Sequence, residues 1–218
     1  MRLYLSSFRL GDRPDQLVAL LGEAGPGRIA VIANAMDSAP ADVRQAGVQR
    51  ETTALTALGF HPVELDLRTF FDQPKDAVRA ALHDFPAVWV RGGNAFMLRY
   101  ALARSGADTA LVDLLRRDAL VYAGYSAGPC VLAPTLRGLE LVDPPQAVTE
   151  TWGDQPLWDG LGVLDHVFVP HVDSPGHPET DACGAAAEHY RTTGTPHRTL
   201  RDGQALVIDG DQSQSRII

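Results

Sequence analysis

The stretch "ALVYAGYSAG", Ala119 to Gly128, decides how this chain is read. It opens as a run of β-formers. It closes on a serine placed two residues after one glycine and two before another. Ser126 in "GYSAG" fits G-x-S-x-G, the pattern of a strand that turns abruptly into a helix with the serine at the apex. Glycines are needed on either side because a Cβ there would collide with the strand or the helix. At the carboxyl edge of a parallel sheet, such a turn projects the hydroxyl where open α/β folds place their sites. It also aims the backbone N–H of Ala127 from a helix N-terminus, where donors are free. The competing reading is an ordinary Gly/Ser-rich turn. The helix-like "PCVLA" that follows favours the elbow, and Cys130 within it reads as helix packing.

Outward from this turn, short β-rich runs alternate with helical ones. The segments "RLYLSS" (2–7), "RIAVIANA" (28–35), "HPVELDL" (61–67) and "AVWVRGGN" (87–94) read as strands. Helical patterns cover 13–25, 41–58, 74–85 and 108–117. Beyond the elbow, 140–162 carries three prolines and two tryptophans and reads as an irregular excursion near the site. A strand "HVFVPHVD" (166–173), a helix over 179–190 and a final strand pair in "HRTLRD" (197–202) and "QALVIDG" (204–210) follow. Alternation of this kind predicts an α/β fold with a mainly parallel sheet. The strands are continuously apolar, as expected when helices cover both faces in a three-layer sandwich. There is no repeat, low-complexity tract or linker, so residues 1–218 are expected to form one domain.

Composition narrows the function classes. A formal net charge of −8 argues against nucleic-acid or anionic-membrane partners, which want a basic face. Two cysteines in unrelated contexts cannot make a disulfide framework for this length, which suits a reducing cytosol. The N-terminal apolar run is too short for a signal peptide, and no run approaches a membrane span. The expectation is a cytoplasmic protein without cofactor or metal. Assembly into a homo-oligomer is left open.

A serine at its free pKa is a weak nucleophile and needs a base within hydrogen-bond reach. Seven histidines compete. His171, just past the end of "VFVP", stands where a base could meet Ser126. The cluster His166, His171, Asp173 and His177 could alternatively hold a metal, although its spacing fits no standard zinc pattern. For an acid to orient the base, Asp143, Glu140 and Asp202 are all candidates by position. Gly92 and Gly93 in "VRGGNAF", one strand before the elbow, can turn backbone N–H groups toward an anion, which makes Gly93 N–H a second oxyanion donor. Asn94 can cap the next helix and is also a substrate-side candidate.

These residues resemble the peptidase E family, the aspartyl dipeptidases, with cyanophycinase as a more distant relative. "RGGNAFML" is similar to the family's glycine turn, "AGYSAG" to its nucleophile elbow, "VPHVDSPGHPET" to its base segment and "LRDGQALVI" to its late turn carrying the acid. The resemblance implies Ser126 as nucleophile, His171 as base and Asp202 as orienting acid. It implies oxyanion donors from Gly93 and Ala127, and a flavodoxin-like or class I glutamine-amidotransferase-like fold. The order Ser, His, acid differs from the Ser, acid, His order of α/β-hydrolases.

Two positions depart from the family pattern. Asp202 stands where glutamate is frequent. Asp181 stands just after Glu-Thr, where these dipeptidases tend to carry an arginine thought to pair with the substrate's acidic side chain. A carboxylate there would repel an N-terminal aspartate. Arg91 is a candidate replacement cation. The implied activity is a serine peptidase acting on dipeptides or very short peptides, with Asp-X specificity put in question. A serine hydrolase of another small amide or ester, or a catalytically silent small-molecule-binding relative, would share the same pattern.

Overall fold

The computed structural model describes residues 1–218. Seven strands form the main sheet: β1 (Arg2–Ser6), β2 (Arg28–Ile32), β3 (His61–Glu64), β4 (Ala87–Val90), β5 (Val121–Tyr125), β8 (Ala205–Asp209) and β9 (Arg216–Ile217). Their order is β3-β2-β4-β5-β1-β8-β9. The five on the β3 side run parallel, while β8 lies antiparallel on β1 and β9 antiparallel on β8. A separate parallel pair joins β6 (Val167–Val169) to β7 (His197–Thr199).

Period-two alternation along the strands divides the core. Leu3, Leu5, Val88, Val90 and Tyr122 point to one face. There they pack against α3 (Lys75–Leu82), α4 (Ala95–Ser105) and α5 (Ala107–Arg116). Tyr4, Ile29, Val31, Trp89 and Ala123 point to the other, against Leu17 of α1 (Asp15–Ala19) and Leu55 of α2 (Ala41–Ala57). The result is a three-layer α/β sandwich. A smaller cluster packs β6 against Cys183, Ala186 and Tyr190 of α8 (Thr180–Thr193).

Three expectations need correction. The helix read over 13–25 is only the short α1 and a 3-10 turn at Gly22–Ala24. Gly22, with φ +61, interrupts it. The expected final strand pair does not form a hairpin. The segment 197–202 contributes β7 to the small sheet, while 204–210 contributes β8 beside β1. The turn between them is instead held to the β1–α1 loop by Asp12 N–H donating to Gly203 O at 2.7 Å. The excursion over 140–162 is partly helical, with α7 at Gln146–Trp152. A four-residue helix, α6 (Ala127–Cys130), follows β5 directly. No helix is long and apolar enough to cross a membrane.

Candidate active site

Ser126 joins β5 to α6 at φ 53, ψ −112, a region that costs a non-glycine residue about 1–3 kcal/mol. The surroundings enforce it. An added Cβ on Gly124 would lie 2.4 Å from the Val90 carbonyl oxygen, and one on Gly128 would lie 2.5 Å from the same atom. Both glycines flanking the serine therefore let the elbow settle against β4. One on Gly92 would come within 2.9 Å of Ser126 Cβ, so the end of β4 also touches the apex. Gly93 adopts φ +146 against the Ala35 carbonyl. Neither Gly93 N–H nor Ala127 N–H has an acceptor within the protein. These two free donors sit on the residues adjoining the apex and its neighbouring turn.

Opposite Ser126, His171 is 1% exposed and also has positive φ, 59°. Its Nδ1 lies 2.7 Å from Asp202 Oδ1. That contact places the proton on Nδ1 and leaves Nε2 able to accept. Ser7, at the end of β1, completes the arrangement. Its hydroxyl donates to Asp202 Oδ1 at 2.8 Å and accepts from His171 N–H at 2.8 Å. Ser174 Oγ accepts from Asp202 N–H at 2.8 Å, and Thr180 Oγ1 donates to the His171 carbonyl at 2.7 Å. Burial holds the His171 pKa below its ordinary value, with the Asp202 hydrogen bond opposing that shift. The imidazole is therefore neutral at pH 7 and able to take a proton.

Ser126 and His171 line one cleft of about 210 Å³ with Phe8, Arg9, Arg50, Arg91, His177 and Glu179. The His177 ring stacks on His171 at 3.6 Å and 5°, and Phe8 presents its ring edge-on to both. His171, His177 and Glu179 offer ligand atoms within 4.8 Å of one another. Parallel stacked rings direct their lone pairs side by side, however, and do not converge on one ion. The metal cluster considered from sequence is not assembled. His166 bonds Asp165 at 2.6 Å, and Asp173 is exposed and pairs with Arg201 at 3.2 Å.

The remaining candidates fall into place around this cleft. Asp202 alone among the three acids touches His171. Asp143 accepts from Ala95 N–H at 2.8 Å, and Glu140 accepts from Gly138 N–H. Asp143 keeps part of its surface exposed, yet desolvation of its carboxyl pushes the pKa up to about 7. Arg91 lines the cleft but is largely buried, 3.6 Å from Glu51. Glu51 in turn accepts from Trp89 Nε1 at 2.8 Å and Tyr125 OH at 2.9 Å. Asn94 caps α4 through Phe96 and Met97 N–H, and its amide donates to Pro144 O at 2.9 Å, so both its ends are occupied. Asp181 is exposed on the first turn of α8 and does not line the cleft. Burial raises the Cys130 thiol well above its usual range, which makes it inert.

Ser7, Phe8, Arg9, Arg50 and Glu179 carry no functional reading from sequence, and His177 enters there only as a possible metal ligand. The polar end of "RLYLSS" was the one available signal, since hydroxyls finishing a buried strand need partners.

The model of peptidase family S51 matches residues 15–216. The chain is 33% identical to peptidase E of Streptomyces coelicolor over 141 residues, 62% of this chain and 53% of that protein. It is 30% identical over 127 residues to the uncharacterized peptidase Lin0382 of Listeria innocua, 58% of this chain and 57% of that one. The alignments thus span a little over half the length of these curated relatives. A solved structure from Listeria monocytogenes EGD-e superposes over 100% of this chain and 97% of its own, with a TM-score of 0.76 at 20% identity. A peptidase from an acI-B1 actinobacterium superposes with a TM-score of 0.72 at 17% identity, covering 100% of this chain and 86% of its own. The fold is common to both solved structures, and with a family match running from the first helix to the last strand, the chain belongs to peptidase family S51.

Proposed function

We propose that the chain is a serine peptidase that cleaves dipeptides or very short peptides through an acyl-enzyme on Ser126. One observation carries this reading: a hydroxyl held in strained backbone between two glycines shares a cleft with an imidazole already bonded to a carboxylate. His171 Nε2 takes the Ser126 proton as Oγ attacks the scissile carbonyl. The oxyanion that forms is met by Gly93 and Ala127 N–H. His171 then gives the proton to the leaving amine, and water repeats the sequence on the ester. Asp202 keeps the tautomer and balances the transient imidazolium. Ser126 and His171 make no hydrogen bond with each other here, a contact that often tightens only with substrate bound.

An acidic first residue is disfavoured. The gap behind Ser126, about 10 Å³ and too small for a side chain, is lined by Asp143, Glu179, Cys130 and Cys183, with no arginine to meet an acidic residue on that side. Any repulsion of an N-terminal aspartate comes mainly from Glu179 rather than from Asp181, since desolvation leaves Asp143 part-protonated near neutrality.

The test is fluorophosphonate labelling beside a dipeptide panel, on wild type and Ser126→Ala. Wild type should label at Ser126, and Ser126→Ala should lose label and about 10⁶ in kcat. Within the panel, Asp-Leu should be cleaved more slowly than Ala-Leu. Label on another serine, or turnover by Ser126→Ala, would refute the nucleophile. Efficient cleavage of Asp-Leu alone would refute the specificity.

A further inference from the structure

Charges around the cleft are left unmatched in a pattern the catalytic residues do not require. Arg9 and Arg50, from the β1–α1 loop and from α2, line the cleft, and neither forms an ion pair. Arg91 lies beside them with its Nε unbonded. Its charge is only partly met by Glu51 at 3.6 Å, which already accepts two other hydrogen bonds. Three arginines around one cleft, Arg9 and Arg50 exposed and Arg91 buried, stand out in a chain of net charge −8. The Glu179 carboxylate in the same cleft is half-buried, accepts no hydrogen bond and pairs with no cation. It borders both the cleft and the gap behind Ser126.

The reaction assigns a direction to these charges. His171 protonates the leaving amine, so the leaving residue lies in the cleft that His171 shares with the arginines. The acyl residue then lies across Ser126 from that leaving residue, where Glu179 borders both the cleft and the gap behind the serine. In an unblocked dipeptide the free ammonium and the scissile nitrogen are about 3 Å apart, because only Cα and the carbonyl carbon separate them. Groups serving those two nitrogens must therefore be close neighbours. Glu179 offers a carboxylate oxygen within 4.8 Å of a ring nitrogen of His171. The carboxylate of the leaving residue would lie one residue further along, toward the guanidinium groups.

We propose that the cleft reads both charged ends of an unblocked short peptide. Glu179 takes the N-terminal ammonium on the acyl side of Ser126. Arg9 and Arg50, with Arg91 behind them, take the C-terminal carboxylate on the leaving side. This rests on Ser126 being the nucleophile and goes further, since it names the residues that confine the enzyme to peptides with free ends. A bidentate guanidinium–carboxylate pair and an ammonium–carboxylate pair in a half-buried cleft are the strong, charge-assisted kind.

The test uses the Ser126→Ala protein, which should bind substrates without turning them over. Calorimetric titrations compare Ala-Leu, N-acetyl-Ala-Leu and Ala-Leu-amide, whose side chains are all neutral. Ala-Leu should bind at least ~10-fold tighter than either blocked form, about 1.4 kcal/mol. Adding Glu179→Gln should erase the preference over the acetylated peptide and keep the preference over the amide. Adding Arg9→Ala with Arg50→Ala should do the reverse. Equal affinity for all three peptides, or no binding of any at millimolar concentration, overturns the proposal. So does an Asp-Leu-amide that binds as tightly as Ala-Leu, since the arginines would then be reading a side chain. Wild-type protein that takes no fluorophosphonate label would remove the nucleophile instead, and the titrations would still decide who reads the peptide ends.

Discussion

Two residues with positive φ face one cleft, Ser126 at 53° and His171 at 59°, and they are held by opposite means. The elbow is held by missing atoms. Gly124 and Gly128 let the backbone close on the Val90 carbonyl, and any side chain there would push it away. The base is held by added atoms. Hydroxyls from Ser7 and Thr180 fix its backbone, Ser7 also holds the carboxylate it leans on, and Ser174 accepts from the Asp202 backbone N–H. One arrangement is steric and local. The other is polar and assembled from distant parts of the chain, with Ser7 lying 164 residues from His171. Steric constraint yields a position that cannot drift, whereas hydrogen bonding yields one that can be tuned or lost one hydroxyl at a time.

That contrast can be broken most severely on the polar side. Asp202→Asn keeps the shape but favours the proton on the wrong imidazole nitrogen, and kcat should fall by about 10⁴ at pH 7 in a stopped dipeptide assay. A loss under tenfold would mean that another acid orients the base. On the steric side, Gly128→Ala drives a Cβ toward the Val90 carbonyl, where it would lie 2.5 Å away. Stability in urea should drop by about 2–3 kcal/mol, with label at Ser126 weakened in whatever folds. Unchanged stability would show that the elbow is not pinned by β4.

Smaller changes sharpen the comparison. Ser7→Ala removes one hydroxyl that serves both the base and its acid. The expected result is a kcat reduced ~10–100-fold through misplacement of the imidazole, with KM nearly unchanged. If Ser7 only fills space, melting temperature would fall while kcat stays. Least in size is the pH profile. Desolvation lowers the His171 pKa from 6.5, so kcat/KM should rise with pH through a midpoint below 6.5, because only the neutral ring can accept a proton. A midpoint above 7 would mean that the Asp202 interaction outweighs burial.

The elbow was legible in sequence because its cause lies within two residues of the serine. So was the sheet, since continuous apolar runs between helical patterns leave few other folds. His171 was legible from its place just past a strand end, whereas the acid was legible only through likeness to a family, because three acids fit equally well by position. The structure separates them by contact, as Asp143 caps α4 while Asp202 meets His171. Arg9, Arg50 and Glu179 carry no local signal at all. They come from the β1–α1 loop, the middle of α2 and the residue before α8, and meet only after the sheet is ordered. The final strands misled for a similar reason. Two β-rich runs flanking a glycine turn imitate a hairpin, but the first gains more by lying beside β6 and the second by covering the open edge of β1.

The Val90 carbonyl has one more consequence. It halts both glycines of the elbow, and three residues further along the same strand end sits Gly93, with its free N–H. Nucleophile and anion donor are thus both gauged from β4, as two marks are laid off from one straightedge. When the sheet breathes or twists, β4 carries both marks with it, and the spacing between them is insulated from errors in the other strands. His171 is gauged from β1 through Ser7, next to the Ser6 carbonyl that accepts from Ser126 N–H at 3.4 Å, so β1 supplies a second datum that serine and imidazole share.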